Sequence, residues 1–434
     1  MKRPFFGGVY PPYHKELSAG HTQHIRIAPK QVSIPLLQHI GAPCEPLVQV
    51  GEHVRVGQKI GDGEGLCVPV HASVSGRVLS IEERPHPAGR HALAIVIEND
   101  FQDAAVHLPL RPLEEMSGDE VLSAIREAGI VGMGGAAFPS NVKALSSMGR
   151  VDTLIANGCE CEPYITADEA LLCSYPESVL RGMGILARVL RAKRIVLALE
   201  ENKFRAIDSL KKQMTADLGI ELAVLPARYP QGSEKQLIQA ITGREVPGGK
   251  LPADVGCAVF NVSTFAAIER ALCEGEALTR RIVTVSGEAV SKPQNIIAPI
   301  GTSFRDLVEA AGGLSDQAER VISGGPMMGV TQSDLSVPVV KATNAILCLP
   351  RNEDPASEHP VCIRCGKCVE VCPVLLQPLY LYRYERADHL KKLEQLNLMD
   401  CIECGSCSFI CPGKLPLVER IRKGKQKLRE AKAK

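Results

Sequence analysis

The sequence predicts a multidomain chain of α/β and α+β class, and three observations carry that reading. Short β-rich stretches broken by Gly turns fill residues 45–98, and α and β patterns alternate from about 117 to 272. Eight of the 16 cysteines crowd into two runs after residue 360. With 434 residues, 45% of them apolar, the chain is long enough for several domains, each with its own core. Fifty Lys and Arg against 49 Asp and Glu leave a net charge of +1, so no global field attracts nucleic acid. Aromatics are 4% with no Trp, which argues against stacking platforms for single strands. No apolar run reaches the roughly 18 residues of a membrane helix, and residues 1–13 lack the apolar core of a signal peptide. A soluble chain in a reducing, cytoplasmic compartment is the expectation.

The first domain is assigned to residues 1–112. Its strands are predicted at 45–50, 54–60, 68–70, 76–81 and 93–97, with Gly51, Gly57 and Gly76 at turns. The phrasing resembles a biotinyl/lipoyl-like barrel-sandwich domain. No lysine lies between Gly61 and Ser80, where a carrier would display its modified residue, so the domain is read as a scaffold.

The second domain, 113–277, opens with a helix. Ser117 and Glu120 form a capping box before Val121, Leu122, Ile125 and Ala128, and Gly129 stops it. Strands at 153–156, 194–199 and 221–225 alternate with helices at 177–191, 202–218, 234–241 and 263–272, a Rossmann-like α/β pattern. Between the first helix and the first strand lies Gly132-Met133-Gly134-Gly135-Ala136-Ala137-Phe138-Pro139. It matches G-x-G-x-x-A, but after a helix rather than a strand, so a tight packing turn and a phosphate cradle completed by Lys143 are both open readings. Asn157-Gly158-Cys159-Glu160-Cys161-Glu162 places an amide and two carboxylates at a strand end, where α/β sheets bind ligands. Glu234 and the Asn261–Thr264 stretch each open a helix, as caps or as further ligand contacts.

A β-grasp domain is assigned to 278–335, with strands at 282–285, 295–300 and 320–322 and a helix from Ser303 to Gly312-Gly313. A linker is assigned to 336–360, because 352–360 is polar with two prolines. Residues 361–434 form the last module. Cys362, Cys365, Cys368 and Cys372, then Cys401, Cys404, Cys407 and Cys411, each read C-x2-C-x2-C-x3-C-P, the ferredoxin spacing for [4Fe-4S] clusters. In two-cluster ferredoxins the fourth cysteine of each run serves the other cluster. Cys362, Cys365, Cys368 and Cys411 are therefore assigned to one centre, and Cys401, Cys404, Cys407 and Cys372 to the other. A leucine-bearing helix is expected between the runs. Of the other eight cysteines, most are read as small buried hydrophobes, with Cys159 and Cys161 as possible exceptions.

A cluster passes one electron and a nicotinamide two, so a flavin that handles both is expected if the α/β domain oxidises NADH. Taken together, the Gly7-Gly8-Val9-Tyr10-Pro11-Pro12 segment with Lys15, the Gly-rich loop, the 157–164 stretch, Thr242 to Pro247, Gly324-Gly325-Pro326-Met327-Met328-Gly329 and both cysteine runs resemble the C subunit of Rnf-type ion-translocating oxidoreductases. The α/β domain also resembles the FMN- and NADH-binding flavin subunit of respiratory complex I. The resemblance implies a peripheral subunit on the cytoplasmic side of the bacterial inner membrane. It would have no membrane helix of its own, and would pass electrons between NAD(H), FMN and two [4Fe-4S] clusters. Ferredoxin would be reached indirectly through partner subunits, which would couple the flow to Na+ or H+ translocation.

By the same resemblance Gly132, Gly134, Gly135 and Lys143 would hold the FMN phosphate, and Asn157, Glu160, Glu162, Asn261 and Thr264 would surround the ribityl chain and ring. Phe138 and Glu234 would lie nearer the nicotinamide nucleotide. Cys159, Cys161 and Ser233 depart from the complex I pattern. Two rival readings are a soluble flavin and iron–sulfur reductase of the microcompartment cobalamin-reductase type, and an electron-transfer adaptor without a nucleotide site. The N-terminal Gly-Gly-Val-Tyr-Pro-Pro favours the Rnf-type reading. From Lys414 onward nine Lys or Arg against Glu419 and Glu430 give a local charge of +7, and this tail is expected to face the membrane complex or anionic lipid.

Overall fold

The computed structural model describes residues 5–20, 25–351 and 360–433. Its architecture is mixed α/β and multidomain, built on four sheets. A four-stranded antiparallel sheet of Gln31–Pro35, Arg90–Asn99, Gly76–His86 and His53–Val54 faces a three-stranded one of Glu45–Pro46, Lys59–Asp62 and Val70–His71. Val32, Ile34, Ile60, Val70, Val78, Ile95 and Ile97 close the space between them. The sheet starts at Gln31, before the first strand read from the pattern, because Val32 and Ile34 alternate with polar neighbours only briefly.

Strands Ile220–Leu225, Arg194–Glu200, Thr153–Gly158 and Cys257–Asn261 form a fully parallel sheet in that order. Parallel strands need covered faces. Helices Pro176–Leu190 and Val262–Glu269 cover one with Val179, Leu186, Phe265 and Ile268, and Glu234–Thr242 covers the other with Leu237 and Ile238. The capping box at Ser117 forms, and helix Gly118–Glu127 ends before Gly129 at φ +69°. The helix expected over 202–218 is shorter, Phe204–Gln213, followed by a 3-10 turn at Ala216–Leu218.

The fourth sheet corrects the assigned linker. Ile25–Arg26, Gln294–Pro299, Arg280–Ser286, Ala345–Pro350, Ala318–Ser323 and Val330–Gln332 form six strands in that order. Ala345–Pro350 lies inside them, parallel to one neighbour and antiparallel to the other. Its Ile346 and Cys348 are fully buried, so 336–350 completes this domain instead of leaving it. A short apolar run without alternation is how a two-sided buried strand reads. The polar stretch 352–359 lies outside the described residues.

In the last module two helices, Pro378–Arg386 and Leu390–Gln395, separate the cysteine runs where one was expected. The terminal helix Leu417–Ala433 packs on them. Its cations are engaged within the module: Arg420 and Lys427 pair with Glu385, Arg422 and Lys425 with Glu403, and Lys432 with Glu394. Five of the cations expected to face a membrane or its complex thus tie the helix to the two intervening helices and to the second cysteine loop. No helix among the described residues is long and apolar enough to cross a membrane.

Candidate electron-transfer site

The two cysteine loops are built alike. Arg364 and Glu403, each after the first Cys-Ile of its run, adopt left-handed backbone at φ +57°, and Gly366 and Gly405 follow at +79° and +80°. Those turns wrap the chain so that backbone N–H groups of Arg364 and Glu403 point at Sγ of Cys362 and Cys401, 3.4 Å away. One-turn helices, Lys367–Glu370 and Ser406–Phe409, then carry the third cysteine of each run.

The thiols gather in two groups. Cys362, Cys365, Cys368 and Cys411 line one small cavity, and Cys372, Cys401, Cys404 and Cys407 line another. Each group thus takes three cysteines from one run and the last from the other. Burial, with neighbouring thiols, pushes Cys401 up to about 11, and Cys404, Cys407 and Cys372 are raised as well. A metal must displace those protons, so binding at such a site strengthens with pH.

The second group sits against the α/β domain. Tyr229 donates its hydroxyl to the Cys404 carbonyl at 2.6 Å and lies 3.4 Å from Glu162. Gln236 Nε2 donates to the Pro373 carbonyl. The Gly7-Gly8 segment threads the same seam: Gly8 N–H bonds Val371 O, Val9 pairs with Tyr229, and a Cβ on Gly7 would stand 2.8 Å from the Cys372 carbonyl. The Gly324–Gly329 loop closes it. Met327 N–H reaches Glu162 Oε2 at 3.1 Å, and a Cβ on Gly325 would strike that carboxylate. Burial lifts Glu162 to about 7. The first group is farther out, with Cys365 exposed and Val361 and Ile363 63% and 65% exposed.

The Gly-rich loop runs between helix Gly118–Glu127 and helix Ser140–Ser147, at the carboxyl end of the parallel sheet. Gly132 N–H bonds Phe138 O, and Met133 N–H bonds the fully buried Thr264 hydroxyl, fixing the loop's base. Gly134, Gly135 and Ala136 are exposed, and Gly135, at φ +112°, has no atom within 4 Å of where a Cβ would stand. That leaves exposed backbone a phosphate could approach. Lys143 Nζ lies 2.6 Å from Glu234, a half-exposed pair joining two of the residues singled out above. Asn157 bridges Gly232 O and Cys159 N–H. Asn261 caps its helix through Ser263 N–H and donates to Asp168 at 2.7 Å.

Two assignments shift. Glu160 is not free to line a ligand: its carboxylate is paired with Lys203 at 2.7 Å and accepts from Asp168 N–H. Glu162 faces the cysteine module and the Gly324–Gly329 loop. Sequence reasoning missed Asp168, which accepts from Asn261 and Ser263 and is lifted to about 6 by burial and by Glu160. It also missed Lys203, whose charge burial opposes but Glu160 and Glu169 hold well above the ordinary lysine value. Lys15 donates to the carbonyls of Glu160, Glu162 and Ile165 at 2.6–2.8 Å. An exposed glycine loop, amides, carboxylates and a cation at a sheet's carboxyl edge suit a phosphate-bearing flavin, and two four-thiol groups suit iron–sulfur clusters.

Fold and site define a class: a modular protein that joins a flavin-type α/β domain to a two-cluster module. Residues 125–270 match the Nuo51 FMN-binding domain, 3–102 the RnfC barrel sandwich hybrid domain, 282–331 the SLBB domain and 355–412 the 4Fe-4S dicluster domain. The chain is 45% identical to the C subunit of the Na(+)-translocating ferredoxin:NAD(+) oxidoreductase complex of Acetobacterium woodii, over 98% of this chain and 97% of that one. It is 43% identical to the proton-translocating counterpart of Clostridium ljungdahlii, over 99% and 95%. The chain belongs to the family of C subunits of Rnf-type ion-translocating ferredoxin:NAD+ oxidoreductases. A solved NAD+-reducing [NiFe]-hydrogenase is similar in fold, with TM-score 0.51 and 22% identity over 74% of this chain and 63% of that one.

Proposed function

We propose that this chain is the NAD(H)-interacting subunit of a membrane-bound ion-translocating NAD(H)/ferredoxin oxidoreductase, peripheral on the cytoplasmic side of the cell membrane. The parallel sheet is read as a Rossmann-like flavin domain and the six-stranded sheet as a β-grasp domain, beside the barrel-sandwich and ferredoxin modules. One observation carries the reading: a thiol group that fits a cluster is bonded through Tyr229 and Cys404 to the domain holding the Gly-rich loop.

When bound, FMN accepts two electrons from a nicotinamide and releases them singly. The chain's residues do the rest. Gly132, Gly134 and Gly135 offer backbone to its phosphate and Lys143 a cation, with Asn157 and Asn261 orienting the ligand, Thr264 holding the base of the loop, and Phe138 and Glu234 toward the nucleotide. Cys401, Cys404, Cys407 and Cys372 would hold the inner [4Fe-4S] cluster, and Cys362, Cys365, Cys368 and Cys411 the outer one. Electrons would run from the α/β domain to the inner centre, then to the exposed outer one and a partner subunit. Glu162, lifted to about 7, sits at the seam where charge passes and can take a proton there.

The test is an anaerobic spectrum of the reconstituted chain, with iron and flavin quantified, before and after NADH. Bleaching of flavin and cluster absorption is the expected result. Clusters without flavin and no response to NADH would reduce the chain to an electron-transfer adaptor. Lys143→Ala is expected to lose flavin and keep both clusters, and Cys365→Ala to lose one cluster while NADH still reduces flavin.

A further inference from the structure

Two thiols outside the ferredoxin runs meet in the barrel-sandwich domain. Cys44 and Cys67, separated by 23 positions, bring their Sγ atoms to 3.4 Å, and a ring nitrogen of His39 completes a set whose ligand atoms all lie within 4.8 Å of one another. All three residues are buried. The spacing is informative. It is far longer than the roughly 2.05 Å of a disulfide and close to the roughly 3.8 Å edge that two 2.3 Å zinc–sulfur bonds make in a tetrahedron.

The partners of these groups favour ligation. Apart from each other, the thiols have among the described residues only the Val68 carbonyl, 3.3 Å from Cys44 and 3.9 Å from Cys67. Val68 N–H can only donate, so His39 Nε2, 3.2 Å away, is the ring's acceptor. Nδ1 then carries the proton toward Ile40 O at 3.3 Å. A backbone carbonyl on Nδ1 orients the ring as in metal-bound imidazoles, and a metal would take the Nε2 lone pair in place of the Val68 N–H. The loops bearing the three residues are already zipped: Ala42 N–H bonds Leu66 O, Gly41 could not carry a Cβ without striking that same carbonyl, and a Cβ on Gly63 would crowd Cys67 Sγ.

We propose that His39, Cys44 and Cys67 bind a soft divalent cation, zinc, through two thiolates and one imidazole, with the fourth position taken by water. Charge is balanced, since two thiolates offset the ion and binding releases their two protons. The ion would staple two loops that support the flavin-type loop. Val68 packs with Val131 and Ala137, and Ile40 N–H bonds Ala137 O at 3.1 Å. This inference stands independently of the electron path proposed above.

The test is metal analysis of the full chain, purified anaerobically with its clusters intact. About one zinc beside about eight irons per chain is expected, and Cys44→Ser/Cys67→Ser should cut zinc about tenfold while iron and flavin remain. Zinc that persists in the double variant sits in the cluster loops and overturns the proposal, as does its absence from the parent chain. Zinc-edge X-ray absorption of the unaltered chain needs no variant to fold. Two sulfurs at about 2.3 Å with a nitrogen at about 2.0 Å are expected, and four sulfurs would overturn the assignment.

Discussion

The α/β domain and the cysteine module bury their interiors by different means. The first wraps a parallel sheet in Val, Leu, Ile and Phe side chains and tolerates, deep inside, charges that neutralise one another. The second has a thin core of Leu376, Leu381, Leu393, Leu398, Ile421 and Leu428, a smaller cluster of Tyr382, Leu415 and Leu417, and two thiol-lined cavities beside them. A ligand is a guest on the first and part of the core of the second. Small modules of that kind fold on the free energy of metal binding.

The sharpest way to break this contrast is to remove iron. Chelation, or Cys407→Ala, is expected to abolish the inner cluster and leave residues 360–433 open to proteolysis, while the α/β domain keeps its helix signal and flavin; cleavage within 113–277 would show that the two regions are not independent. Next comes Lys203→Met, which strands Glu160 and Glu169 in the interior. Breaking a buried pair costs about 3–5 kcal/mol, so the melting of the α/β domain should drop steeply while iron content holds.

A third expectation concerns pH. Burial lifts Glu200 to about 7 against the pull of Lys15 and Lys203. Its folded pKa exceeds the ordinary 4.5, so its contribution is full below pH 4.5 and is lost as pH rises through 7. Glu200→Gln should therefore flatten the fall in melting temperature between pH 5 and 8, and an unchanged slope would shift that role to Glu162. The smallest effect is expected of Tyr229→Phe, which removes the hydroxyl from the Cys404 carbonyl and costs about 1 kcal/mol. Cluster reduction by NADH measured by stopped flow should slow with flavin reduction unchanged; equal rates would limit Tyr229 to packing.

Legibility in the sequence follows the range of the interaction. Spacing is local, so the cysteine runs, the Ser117 capping box and three of the four parallel strands can be read directly, while Cys257–Asn261 is not read as a strand. Lys203 meets Glu160 across 43 positions, and Lys15 meets its carbonyls across 145 or more. Nothing in either neighbourhood marks a buried lysine. Ala345–Pro350 reads as part of a linker because a strand hidden on both faces shows no alternation, and Cys44 and Cys67 look like isolated small hydrophobes until the loops leading into two strands of one sheet bring them together.

The sequence by itself determined the modules, their order and the thiols available to metal, because turn chemistry, strand period and cysteine spacing act over a few residues. Only the tertiary structure decided which thiol group borders the α/β domain, that Glu160 is held in an ion network, and that Glu162 serves the seam between modules. Those outcomes depend on which distant backbones approach within hydrogen-bond range, and that is set by the packing of whole domains.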